Sequence, residues 1–138
     1  MMKSLKILFP VLLVCFMLSF ANGQNITKDA VVANWNFTLK SEIKSDRFET
    51  FMVEDYIPAF EKQFTGVNVI LLMGDRGVKK GEYCVLLHFE SIESRNEWWP
   101  QDGISSEKTK AATAKIKAQD DRLNSMITWE SFTDWIVL

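Results

Sequence analysis

An α+β fold, one four-stranded antiparallel sheet with helices on a single face, is predicted for this 138-residue chain by three observations. Segments of strand and helix character follow one another in the order β-α-β-β-α-β. A glycine-punctuated turn joins the two middle strands. Three of the strands carry apolar or aromatic residues on both faces, more than helices on one side can cover.

The first strand is the clearest. From Val31 to Lys40, Val31, Ala33, Trp35, Phe37 and Leu39 alternate with Val32, Asn34, Asn36, Thr38 and Lys40, and side chains on a strand alternate between faces. Ser45-Asp46 opens a helix, with Asp46 and Glu49 spaced as in a capping box. Phe48, Phe51, Met52, Tyr56, Phe60 and Phe64 recur at helical spacing. Pro58 lies inside that stripe; it lacks a backbone donor and is expected to kink or split the helix near Ile57. Gly66 is a natural stop.

Val67 to Met73 reads as a second strand, and Gly74 to Gly81 as the turn of a hairpin whose other arm is Glu82 to Phe89. Tyr83, Val85, Leu87 and Phe89 share one face of that arm; Cys84, Leu86 and His88 share the other. Ser91 to Trp99 is a short helix closed by Pro100, and Gln101-Asp102-Gly103 breaks it. Ser105 or Ser106 caps one longer helix to about Asn124, mostly exposed, with a thin stripe of Ala111, Ala112, Ala114, Ile116, Ala118 and Leu123. Met126 to Leu138 is the last strand. Two split βαβ halves of this kind make a ferredoxin-like plait. Its uncovered apolar face calls for a second copy, sheet against sheet, in a homodimeric α/β barrel.

Residues 1–23 read as a signal peptide. Lys3 and Lys6 precede an apolar run from Ile7 to Phe20, and Ala21-Asn22-Gly23 offers a cleavage site. The run falls short of the ~20 residues that a membrane span needs. Cys15 follows Leu13-Val14 rather than the small residue of a lipid-attachment box. The expectation is an exported protein, periplasmic or extracellular, beginning near Gln24 and forming one domain over 24–138, with no membrane contact after cleavage.

The leader holds two lysines and no acid, so the remainder is more acidic than the net −2 of the whole chain. That balance opposes nonspecific binding to nucleic acid or anionic lipid. With Cys15 in the leader, Cys84 stands alone and no intramolecular disulfide can form. Cys84 and His88 are ~13 Å apart along one strand and cannot share a metal ion, and no other Cys or His follows the leader, so no metal is expected. Gly74-Asp75-Arg76-Gly77 lacks the spacing of a phosphate loop, and no cofactor is expected.

His88, the only histidine, is the candidate for acid–base work. The alternative is a histidine hydrogen-bonded within the sheet or at a dimer seam. Asn34 and Asn36 form a polar stripe able to orient a small ligand if that face looks into a barrel, and are surface residues if it looks to solvent. Trp98 and Trp99 are further candidates for ligand contact. A cavity between sheet and helices walled by several of the tryptophans suits a flat apolar or aromatic molecule.

The passage Val85-Leu86-Leu87-His88-Phe89-Glu90-Ser91-Ile92-Glu93-Ser94-Arg95-Asn96-Glu97-Trp98, a strand running into a short Trp-bearing helix, together with the element order, resembles the dimeric α/β-barrel superfamily and its antibiotic-biosynthesis-monooxygenase-like branch. The resemblance covers nearly all of residues 24–138, through a loose motif. It implies a small-molecule-binding protein, with a cofactor-independent monooxygenase on an aromatic substrate as the alternative, His88 acting as base and Asn34, Asn36 or Trp98 placing the substrate. A purely structural dimer is the third possibility. The haem-degrading members, by resemblance, pair a first-strand Asn and a Trp with a haem-ligating His about ten residues further on. Here Asn34 or Asn36 and Trp98 answer to the first two, but Lys108 stands at the third position and residues 89–138 hold no histidine. That departure counts against haem.

Overall fold

The computed structural model describes residues 26–101 and 104–138; the expected signal peptide lies outside the described residues. The elements are β1 (Val31–Leu39), α1 (Ser45–Phe51), a π-helical turn (Met52–Tyr56), α2 (Ile57–Gln63), β2 (Val67–Met73), β3 (Tyr83–Phe89), α3 (Ile92–Trp98), α4 (Glu107–Lys115), α5 (Lys117–Met126) and β4 (Ile127–Ile136). The strands form one antiparallel sheet in the order β2-β3-β1-β4, the plait expected from the sequence.

Alternation sorts the sheet cleanly. Val31, Ala33 and Phe37 of β1, and Tyr83, Val85, Leu87 and Phe89 of β3, are buried against the helices. Phe48, Met52, Phe60 and Phe64 meet them from the other side. The opposite face is built from cross-strand rows. Asn68, His88, Val32 and Trp135 make one; Ile70, Leu86, Asn34 and Thr133 the next; Leu72, Cys84, Asn36 and Ser131 a third. Ile70, Leu72 and Trp135 are 47%, 41% and 61% exposed, so this face holds wet apolar surface of the kind that marks an interface.

The expected irregularity near Ile57 is a π-helical turn rather than a break: the backbone stays right-handed helical through it, with Pro58 just beyond. Pro58 is an early residue of α2, and the chain widens into the π-helical turn over Met52–Tyr56 just before it. Three local expectations need correction. The Asp46–Glu49 capping box does not form: the cap position is Lys44, two residues earlier, Asp46 accepts from the Arg47 amide at 2.7 Å, and Glu49 accepts from the Tyr83 hydroxyl. The helix expected over Ser105–Asn124 is two helices, because Ile116 leaves helical geometry at φ −113° and ψ 20° to bury its side chain. The second of them runs on to Met126, which delays β4 to Ile127. Of the thin stripe proposed for this region, Ala112, Ile116 and Leu123 are buried while Ala111, Ala114 and Ala118 are exposed. Ser106 is the cap, its hydroxyl accepting from the Thr109 amide at 3.1 Å. No helix among the described residues is long and apolar enough to cross a membrane.

Candidate functional site

The site is set by where the last strand meets the short helix. Strand β4 forms an edge beside β1, with Trp35 opposite Phe132 and Ala33 opposite Asp134. Directly paired residues share a face, so Phe132 and Asp134 lie on the helix side of the sheet. Helix α3 crosses that side. Its start is held by Ser91, which accepts from the Ser94 amide while the Ser94 hydroxyl accepts from the Ser91 amide. Its end is pinned to α4: the Ser106 amide and the Thr109 hydroxyl both donate to the carbonyl of Trp98.

Between them lies a cavity of about 630 Å³. Trp35, Phe89, Trp99 and Phe132 supply aromatic walls, with Ala33 and Leu87 between them. Trp99 stands edge-on to Trp35 at 5.8 Å and to Phe89 at 6.0 Å, and stacks parallel on Phe64 at 5.7 Å. The polar lining is Arg95, Gln101, Ser105, Thr133 and Asp134. Arg95 donates through Nη1 to Asp134 and through Nε to the Asn96 side chain at 2.9 Å, and both members of the Arg95–Asp134 ion pair are three-quarters buried. A half-enclosed apolar space with one fixed charge pair can grip a flat molecule and orient its polar end.

The residues singled out from the sequence are not brought together. Trp99 lines the cavity. Trp98 is 3% exposed and serves the core, with the Lys108 ammonium 4.0 Å from its ring centre and Phe64 at 4.8 Å on the aromatic side. His88, Asn34 and Asn36 lie on the far side of the sheet from the cavity. There, Asn36 donates to the Ser131 hydroxyl at 3.2 Å, while His88 Nε2 and Asn34 Oδ1 are sealed from water without a hydrogen-bond partner among the described residues. Asn34 pairs with Leu86 and His88 sits two residues along the same strand, so the two sealed groups are diagonal neighbours. Cys84 shares this face, and burial pushes its thiol up, away from the reactive thiolate. Among the described residues no three His, Cys, Asp or Glu side chains converge as a metal site.

Sequence reasoning missed Arg95 and Asp134. Arg95 sits in a helix rich in charge, and its neighbour across space is 39 positions away. Asp134, one of two acids with Glu130 in the aromatic β4, was the available signal. A β-bulge beside Asn36 shifts the register of β1 against β4, and hides which face Asp134 takes.

No family model and no curated protein matches this chain. Solved structures do. A NIPSNAP-like domain protein from Burkholderia xenovorans is similar with a TM-score of 0.54 at 11% identity, over 81% of this chain and 86% of that one. SnoaB, a cofactor-independent oxygenase from Streptomyces nogalater, is similar at 0.49 and 17% identity, over 80% and 94%. A dimeric ferredoxin-like protein of unknown function from Thermobifida fusca is similar at 0.47 and 12% identity, over 83% and 96%. At these identities the likeness is one of fold, and the strand order β2-β3-β1-β4 with helices on one face is that of a ferredoxin-like α+β protein.

Proposed function

We propose that this chain is an exported homodimeric protein that binds a small, flat, apolar or aromatic molecule in the cavity between the sheet and α3. The observation that carries this reading is the set of four aromatic side chains, Trp35, Phe89, Trp99 and Phe132, lining a half-open space of about 630 Å³. Side chains that merely filled a core would close such a space, since interiors pack to crystal density. The homodimer is supported by Ile70, Leu72 and Trp135, exposed on the sheet face that no helix covers. Export is supported by Lys3 and Lys6 ahead of the apolar run Ile7–Phe20, and N-terminal sequencing of the secreted product tests it.

Binding is preferred over oxygenation because His88, the base that the monooxygenase reading requires, is separated from the cavity by the sheet itself. Titration with the neutral fluorophore phenylnaphthylamine tests the reading. One saturable site per protomer is expected, weakened about tenfold or more by Trp99→Ala and unchanged by His88→Ala. No saturable binding, or equal sensitivity to both substitutions, refutes it.

A further inference from the structure

The polar end of the cavity keeps hydrogen-bond donors that its own residues leave unused. A guanidinium carries five N–H donors in a planar fork. Arg95 commits one at Nε to Asn96 and one at Nη1 to Asp134. Gln101, Ser105 and Thr133, on the same lining, each offer both a donor and an acceptor. Asp134 is the one acidic group among the described lining residues, and it already serves Arg95. Three N–H groups of a permanently charged guanidinium are therefore left over where the aromatic walls end.

The pair is also held in place. Asp134 comes from β4 opposite Ala33, whose small side chain leaves room for Arg95 to reach the strand. Asn96 fixes the other side of the fork. A guanidinium with a locked plane and spare donors in a three-quarters-buried position matches a carboxylate far better than a cation or a hydroxyl.

We infer that the cavity takes a planar aromatic carboxylate, its ring between the aromatic walls and its carboxylate on Arg95. This rests on the ligand-binding reading above and names its ligand class. Asp134 positions the fork and competes with the ligand for it.

Calorimetric titration of the full exported chain with naphthoate, naphthalenemethanol and naphthylmethylammonium separates the possibilities. These share one ring system and differ in the charge of the substituent. The inference expects naphthoate to bind about tenfold tighter than the alcohol, with the ammonium weakest. In Arg95→Met the alcohol still binds and the preference for naphthoate disappears. In Asp134→Asn, which leaves Arg95 in place, naphthoate binds as well as before or better. Binding of the alcohol or the ammonium as tight as that of naphthoate, or a preference that survives Arg95→Met, overturns the inference and leaves the aromatic-binding reading intact. If none of the three binds, that reading fails and the inference falls with it.

Discussion

Trp35 on β1 meets Trp99, just past the end of α3, edge to face with ring centres 5.8 Å apart and planes at 79°. The same indole meets Trp129 of β4 at 5.8 Å and 83°. One half-buried side chain thus ties the helix to the edge strand while forming a wall of the cavity.

Trp35→Ala removes both contacts. It should lower stability by about 2–3 kcal/mol, less than for a fully buried indole, and abolish phenylnaphthylamine binding. Urea unfolding followed by circular dichroism measures the first effect, and fluorescence titration the second.

Ile70→Lys places a charge on the uncovered sheet face, midway along the edge strand β2, at a position already 47% exposed in a single chain. The folded chain should be preserved and the dimer lost. Sedimentation equilibrium at micromolar concentration is expected to give a dimer for the parent protein and a monomer of unchanged circular dichroism for the variant. A monomeric parent removes the case for a homodimer.

Tyr56 donates to Asp120 at 3.0 Å, linking the π-helical turn to α5. Burial, with help from Asp120, holds the phenol above its ordinary value of 10.0. Below pH 10 the hydroxyl is neutral in both the folded and unfolded chains; above it, only the unfolded chain ionises freely. Stability should therefore fall as the pH rises past 10. Tyr56→Phe should cost about 1 kcal/mol at neutral pH, and this deficit should shrink by pH 11. Burial also raises the Asp120 carboxyl above its ordinary 3.8, so its contribution is largest below that pH and is lost as the pH rises. Asp120→Asn should flatten that acid-side slope in a series of urea titrations.

Gly74 closes the β2–β3 hairpin, its amide donating to the Glu82 carbonyl at 2.8 Å and its own carbonyl accepting from Gly81 at 2.8 Å. A Cβ there would lie 1.9 Å from the Lys79 carbonyl oxygen. Gly74→Ala must push the turn apart and should cost about 1–3 kcal/mol. Faster amide exchange at Gly81 and Glu82 would show the opened turn.

Much of this architecture was legible from residue order. The alternation of β1 and β3 predicted their two faces residue by residue, because a half-buried sheet leaves each side chain only two environments. The break at Ile116 carried no glycine or proline to announce it; it follows from packing Ile116 and Leu123 into one core, which is a tertiary demand. The Asp46 cap failed because Glu49, needed for the reciprocal bond, faces Tyr83 instead. The site was less legible for a related reason. Aromatic walls can be guessed from composition, and Trp99 was found that way, whereas the Arg95–Asp134 pair exists only once β4 has taken its register beside β1. His88, the obvious candidate by chemistry, lost its place by strand parity alone: one position either way along β3 would have put it among the core side chains.

The wide turn at Met52–Tyr56 has a consequence for phase. Phe48, Met52, Tyr56, Phe60 and Phe64 are buried at intervals of four. A regular α-helix repeats every 3.6 residues, so each such interval overshoots by about 40° and four of them by about 160°. In an uninterrupted α-helix, Phe64 would face nearly opposite to Phe48. The π-helical segment takes more residues per revolution and absorbs part of that rotation, keeping both rings on the sheet. The spacing of the aromatics thus demands the slow turn independently of Pro58, and a chain carrying Pro58→Ala should keep it.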